Sequence, residues 1–291
     1  MNIKIKNNKK DILGKKGFYL LPNIFTTASL FAGFYAIVQA MNGAFDHSAI
    51  AILIALILDG LDGRVARLTN TESDFGAEYD SLSDMVSFGA APALVIYVWA
   101  LNPLGKFGWI IAFIFCACAA FRLARFNVKL DIENKKYFSG LPSPAAATLL
   151  ASFIWISFDN GINGDDIFLG FFQMQWFAAV LTFFSALAMA SDLKYYSGKN
   201  LNFRKSQPFI AILIIVIIFG VISHNPAEIV FLIALLYALS GPYSYLQSKK
   251  LSNLPNFFLT ISAISSQYFF SKSLFFRKNL FFKDRYFFVN C

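Results

Sequence analysis

The chain has 291 residues, of which 57% are hydrophobic and only 14% are charged, and its mean hydropathy is +0.56. A soluble domain carries about 25% charged residues, so this composition excludes an ordinary soluble protein. The apolar runs are continuous and do not alternate, which argues against a β-barrel. The formal net charge is +8, but its distribution along the chain indicates membrane orientation and no nucleic-acid partner.

Apolar runs long enough to cross a bilayer, about 17–25 residues each, recur along most of the chain. We predict about eight spans, at residues 23–42, 47–66, 85–101, 107–126, 144–158, 168–190, 208–223 and 227–246. The predicted fold class is an all-α integral membrane protein, a bundle of about eight transmembrane helices. The first 16 residues are basic and no cleavage site follows a short apolar core, so we expect no cleavable signal peptide.

The segments between these runs alternate in charge. Lysine and arginine are concentrated in the N-terminal segment, around residues 122–136, around residues 194–205 and at residues 249–250, whereas the intervening connections are acidic or nearly uncharged. By the positive-inside rule, both termini are expected on the cytoplasmic side. This alternation fits an even number of spans.

The chain divides by composition into three parts. We predict a basic cytoplasmic segment at 1–17, a membrane domain at 18–247 and a tail rich in Phe, Lys and Ser at 248–291. Phe-Phe doublets at 269–270, 275–276, 281–282 and 287–288 repeat every six residues, which matches neither helix nor strand burial. The tail is therefore interpreted as a biased appendage, and one alternative is that it lies in the membrane interface.

Four aspartates lie at the ends of the second and third predicted spans. Asp59 and Asp62 are three residues apart on one helix face, and Asp80 and Asp84 are four apart at the start of the next helix. If the two helix ends are adjacent, four carboxylates converge on one volume. Hard oxygen ligands of this kind suit Mg²⁺ or Mn²⁺, and two such ions could bind and neutralise a diphosphate. The simpler alternative is a set of helix caps and solvated acids.

A glycine and an arginine accompany these carboxylates in helical phase. Gly63 is four residues after Asp59, and its missing side chain lets a ligand approach the backbone. Arg67 follows one turn later and could bind phosphate in a fork geometry. A cation transporter would also carry intramembrane carboxylates, but its acids should lie near mid-span, and these lie at span ends on one side.

The pattern D-x2-D-G-x2-A-R-x8-G-x3-D-x3-D is filled without departure from Asp59 to Asp84. It resembles the signature of the CDP-alcohol phosphatidyltransferases, which transfer a phosphatidyl group from a CDP-linked lipid to an alcohol and release CMP. The resemblance implies two metal ions, Mg²⁺ or Mn²⁺, held by the four aspartates, with Asp84 as general base. It also implies contacts to the CDP part of the substrate from Gly63, Arg67 and Ser73, and from Asn23 and Thr26, which match a Pro-Asn-x-x-Thr segment at residues 22–26. Asn23 is equally suited to be a helix N-cap.

Three further segments, at residues 81–93, 121–127 and 138–147, resemble the family members that make phosphatidylserine. The similarity covers about residues 18–247. It implies that CDP-diacylglycerol and L-serine are the substrates and that phosphatidylserine and CMP are the products, by direct attack. The alternative is a sister enzyme that uses glycerol phosphate, inositol phosphate or choline.

Arg122, Arg125 and Ser143 fall within these segments. Either arginine could orient the carboxylate of serine, although cytoplasmic arginines also serve as topology signals. Ser143 could contact substrate or act as a helix N-cap. The positive-inside rule places the aspartates, and so the active site, on the cytoplasmic side. The resemblance further implies the bacterial cytoplasmic membrane, and the sequence is compatible with a homodimer.

Overall fold

The protein is described by a computed structural model that covers residues 7–69, 71, 73–129, 137–168, 172–196 and 225–252. These ranges are mostly helical. The principal helices are α1 (Asn7–Met41), α2 (Phe45–Thr69), α3 (Asp74–Asp84), α4 (Ala91–Ile96), α5 (Lys106–Lys129), α6 (Ser143–Asp159), α7 (Met174–Ala190) and α8 (Pro226–Ser252). Two short antiparallel ribbons complete it: β1 (Tyr137–Ser139) pairs with β4 (Lys194–Tyr196), and β2 (Ile167–Phe168) pairs with β3 (Phe172–Gln173).

Helices α1 and α2 form a closely packed hairpin. The turn between them passes through Gly43, whose φ of 77° favours glycine. Several alanines on both helices, among them Ala36 and Ala55, are buried, and small side chains let helix backbones approach closely. Ser29 reinforces this contact by donating from Oγ to the carbonyl of Ala55 at 3.0 Å.

The segment Asp74–Leu104 is one helical rod that includes α3 and α4. Two wide π-helical stretches, Met85–Ala90 and Tyr97–Leu101, interrupt it, and a 3-10 turn, Asn102–Leu104, ends it. The first wide stretch ends two residues before Pro92, which has no N–H to give to a regular ladder. The rod begins earlier than the predicted third span, because Ser73 caps its first turn. Asp80 and Asp84 therefore lie in the second and third turns of the helix and not at its start.

Four helices of the described ranges are long and apolar enough to cross a membrane: Pro22–Met41, Asp74–Leu104, Lys106–Val128 and Pro226–Gln247. They correspond to four of the eight predicted spans. Three more predicted spans fall on α2, on α6 and on the shorter apolar helix Met174–Ala190. The predicted span at 208–223 and the Phe-rich tail lie outside the described residues. A helical integral membrane protein is thus supported, and the number of eight spans stays a prediction.

The chain divides into two compact units, Met1–Tyr243 and Ser244–Cys291. The core of the first unit is built from buried side chains of α1, α2, the rod Asp74–Leu104, α5, α6, α7 and α8, together with Tyr195 of β4. In the second unit, the described residues are the last turns of α8.

Candidate active site

The four aspartates converge, and they pair between helices. The carboxyl of Asp59 lies within hydrogen-bonding reach of Asp84, and that of Asp62 within reach of Asp80. Each pair thus joins the C-terminal half of α2, which continues to Thr69, to α3. We call Asp59, Asp62, Asp80 and Asp84 the carboxylate cluster.

The cluster has the features of a divalent-cation site. Oxygen atoms of Asp59, Asp62 and Asp80 all lie within 4.8 Å of one another, and Asp84 is adjacent through its contact with Asp59. Asp80 Oδ1 and Asp84 Oδ1 are buried and have no hydrogen-bond partner in the described part of the chain. Buried carboxylates left without a donor are costly unless a cation compensates them. An all-carboxylate oxygen set therefore fits Mg²⁺ or Mn²⁺.

Helix α1 supplies a hydroxyl to the cluster. Thr26 Oγ1 donates to Asp62 Oδ2 at 2.8 Å, and both residues are buried, with 3% and 5% of their surface exposed. Asn23 lies one turn earlier, inside α1, so its alternative reading as a helix N-cap is wrong. Its Oδ1 atom faces Gly76 of α3, 3.5 Å from the position that a Cβ there would take.

The surface beside the cluster is open around Gly63. A Cβ at this position would meet nothing within 4 Å except Arg67 Nη2, at 4.0 Å. Arg67 is exposed, and its Nε donates to the carbonyl of Gly63 at 2.8 Å, which leaves the outer edge of the guanidinium facing this space. Ser73 Oγ accepts from the N–H of Gly76 at 3.1 Å, so its hydroxyl caps α3. Internal packing gives no reason for glycine at position 63, and the open space fits a ligand.

Arg122 and Arg125 line a small, partly open pocket with Phe126, Phe138 and Ser139, which is called the arginine pocket below. Arg122 lies close enough to Asp84 to interact with it electrostatically. The arginine pocket is therefore beside the carboxylate cluster.

Hydroxyl groups hold both arginines. Arg122 Nη1 donates to Ser143 Oγ at 2.9 Å, and Arg125 Nη2 donates to Ser139 Oγ at 2.9 Å. Pro142, and not Ser143, is the N-cap of α6, so the N-cap alternative for Ser143 is wrong. Arg125 also forms an ion pair with Asp192.

Asp192 and Ser139 were not identified from the sequence. They come together because β1 pairs with β4, with Ser139 opposite Lys194 in the register. Gly140 directly follows β1 and has a φ of 80°, and its N–H donates to the carbonyl of Leu193 at 2.8 Å. Strands this short carry almost no periodic signal. A lone acid after a helix also resembles an ordinary solvated residue, so no pattern marked either position.

Tyr195 of β4 anchors the ribbon to α8. Its ring is fully buried, and its hydroxyl donates to the carbonyl of Ala238 at 3.0 Å. Gly241 makes room for the ring, because a Cβ there would lie 2.3 Å from Tyr195 Cζ. Burial raises the pKa of Tyr195 to about 12, so the hydroxyl stays a donor at neutral pH.

Fold and site together define a helical membrane protein with a carboxylate centre suited to a divalent cation and, beside it, an open surface with an arginine. The family model described as CDP-alcohol phosphatidyltransferase matches residues 19–240. The chain belongs to this family, and the resemblance drawn from its motif is confirmed.

Relatives with assigned names agree with this membership. A CDP-diacylglycerol–serine O-phosphatidyltransferase of Helicobacter pylori is 36% identical over 229 residues, which cover 77% of this chain and 90% of the relative. A protein of the same name from Methanocaldococcus jannaschii is 37% identical over 196 residues, covering 67% and 83%. An archaetidylserine synthase of Methanothermobacter thermautotrophicus is 34% identical over 148 residues, covering 50% and 62%.

Proposed function

We propose that the protein transfers the phosphatidyl group of CDP-diacylglycerol to the hydroxyl of L-serine, giving phosphatidylserine and CMP. Phosphatidyl transfer is supported by the family signature, because its four aspartates converge in one cluster and contact one another between two helices. The names of the relatives support serine as acceptor, since those similar over most of their length are named for transfer to serine.

Asp59, Asp62, Asp80 and Asp84 would hold the divalent ions, Mg²⁺ or Mn²⁺. When bound, such ions supply charge neutralisation for the diphosphate and for the leaving oxygen. The three carboxylates whose oxygens converge within 4.8 Å would form the centre of this set. Thr26 orients Asp62 within it, as donors to metal-binding carboxylates commonly do.

Asp84 is proposed as the general base. Its carboxylate would accept the proton of the serine hydroxyl while the serine oxygen forms a bond to the β-phosphorus and the bond from that phosphorus to the CMP oxygen breaks. The position of Asp84 at the side of the cluster towards Arg122 supports this role, because the acceptor can then approach from the arginine pocket. Positioning and charge stabilisation would supply most of the acceleration.

Arg67 and the open surface at Gly63 would receive the CDP part. The exposed edge of the Arg67 guanidinium suits a phosphate oxygen, and Gly63 lets the nucleotide approach the backbone. Asn23 and Ser73, which both lie beside Gly76, would make further contacts with the CDP part. Thr26, in contrast, donates its hydroxyl to Asp62, so it would act on the carboxylate cluster and not on the CDP part.

The charge of the arginine pocket favours serine over a phosphorylated acceptor. Two arginines suggest a phosphate site, but Arg125 is ion-paired with Asp192, which reduces the net positive charge that a ligand meets. A single carboxylate needs less positive charge than a phosphate dianion. We therefore propose Arg122, held by Ser143, as the contact for the serine carboxylate, with Arg125 at the rim.

The directions of the helices support a common face for these groups. Site contacts involve the C-terminal thirds of α2 and α5, the N-terminal third of the rod Asp74–Leu104 and the start of α6. We propose that this face is cytoplasmic, that eight spans place both termini there, and that the membrane is the bacterial cytoplasmic membrane.

The test is an acceptor screen with the purified full chain in lipid–detergent micelles. CMP release from CDP-diacylglycerol is measured with L-serine, glycerol 3-phosphate, inositol 1-phosphate and choline, each with Mg²⁺, with Mn²⁺ or with EDTA. We expect release that requires serine and a divalent ion. Release with a phosphorylated alcohol and none with serine would overturn the acceptor, and undiminished release in EDTA would overturn the metal centre.

A further inference from the structure

Thr26 makes hydrogen bonds with both of the helices, α2 and α3, that carry the carboxylate cluster. Its side chain donates to Asp62 of α2, and its main-chain carbonyl accepts from Ser83 Oγ of α3 at 3.1 Å. Ser83 is 1% exposed and immediately precedes Asp84. One residue of α1 thus meets both helices that carry the cluster.

We infer that Ser83 is a positioning residue for the metal centre: it fixes the helix carrying Asp80 and Asp84 against the same residue that orients Asp62. A carbonyl inside a helix already accepts its ladder hydrogen bond, so the bond from Ser83 is an additional tie between helices. Its loss would free α3 to slide or rotate relative to α2. Distances from a metal ion to its ligand atoms stay within about ±0.2 Å of their standard values, so small movements of the carboxylates should weaken binding.

Ser87 provides a matched control one turn further along the rod. Its Oγ donates to the carbonyl of Ser29 in α1 at 3.0 Å, and it is also fully buried. Ser29 in turn donates to the carbonyl of Ala55 and not to a carboxylate. The two serines therefore make the same kind of tie, but only the tie from Ser83 ends on the residue that holds Asp62.

This inference rests on the proposed metal-dependent function, so the experiment measures metal binding directly. Wild type, Ser83→Ala and Ser87→Ala are purified as full chains, and free Mn²⁺ is titrated by electron paramagnetic resonance without lipid substrate. Thermal unfolding of the same samples measures the structural cost of each change. Loss of one hydrogen bond should lower the stability of both variants similarly, whereas Mn²⁺ affinity should fall about 3- to 10-fold in Ser83→Ala alone.

The outcomes separate the inference from the proposal beneath it. Equal Mn²⁺ affinity in wild type and Ser83→Ala, or an equal loss in Ser87→Ala, overturns the positioning role of Ser83. A wild type that binds no Mn²⁺ overturns the metal centre itself. If Ser83→Ala does not fold, Ser83→Cys keeps the volume and a weak donor, and the inference then requires an affinity below that of the wild type.

Discussion

Gly33 of α1 sets how closely the rod Asp74–Leu104 can approach the hairpin of α1 and α2. A Cβ at this position would lie 2.5 Å from Ser87 Oγ and 2.7 Å from Ser87 Cα. The second contact is with backbone, so no rotamer change can relieve it. Ordinary van der Waals contact begins at 3.4 Å, and Gly33→Ala must therefore separate the two backbones locally by about 3.4 − 2.7 = 0.7 Å.

We expect this separation to affect stability and catalysis together. Overpacking of a tight contact costs about 1–3 kcal/mol. Ser87 is three residues beyond Asp84 on the same rod, so part of the shift should reach the cluster. A 1 Å misplacement of reacting groups can cost about 100-fold in rate, and a loss of about 10- to 100-fold in turnover is expected for Gly33→Ala.

The assay combines thermal unfolding in detergent with serine-dependent CMP release. Gly60→Ala is the control for unfolding, because a Cβ there would meet nothing within 4 Å and alanine in a helix interior should add about 0.5–1 kcal/mol of stability. If Gly33→Ala keeps the stability and the turnover of the wild type, the close approach of the rod to α1 at Gly33 is refuted. Reduced stability with full turnover would refute the link between helix spacing and the site.

Three other changes probe the site itself. Thr26→Val should weaken Mn²⁺ binding about 10-fold or more, because a hydrogen bond to a buried charge is worth about 1.5–3 kcal/mol. Thr27→Val, which removes an exposed hydroxyl bonded to the Tyr79 hydroxyl, should leave Mn²⁺ binding unchanged. Equal Mn²⁺ affinities in the two variants would refute this. Asp84→Asn should abolish CMP release yet retain binding of the CDP-lipid in a filtration assay, and normal turnover would exclude it as the base. Asp192→Asn should strengthen inhibition by glycerol 3-phosphate about 3- to 10-fold, because it removes the negative charge that compensates Arg125. Asp74→Asn, which changes an exposed acid, should leave this inhibition unchanged. An unchanged inhibition constant in Asp192→Asn would contradict the charge argument.

The convergence of the carboxylates could be predicted from the sequence, but their pairing could not. Spacing along a helix places Asp59 with Asp62 and Asp80 with Asp84. The observed contacts join Asp59 to Asp84 and Asp62 to Asp80. Asp59 and Asp62 also stay close to each other, so these contacts between helices are additional. They depend on the angle and the relative height of two helices, which side-chain packing decides and no local spacing encodes.

The ribbon of β1 and β4 illustrates a second limit. It joins residues 137–139 to residues 194–196, far apart in sequence and too few to show a period. The start of α3, in contrast, was open to prediction, because serine is a favoured N-cap and Ser73 directly precedes the first turn. It was missed because the first three turns of the rod are polar, and spans were placed by apolar runs.

The serine ties between helices have an evolutionary consequence. Ser29, Ser83 and Ser87 all donate to main-chain carbonyls, and a carbonyl is present whichever residue occupies the accepting position. Selection for these bonds therefore acts on the donor alone. Pairs of positions that vary together reveal contacts only when both side chains matter, so the ties that align the two halves of this centre should leave no paired signal among relatives.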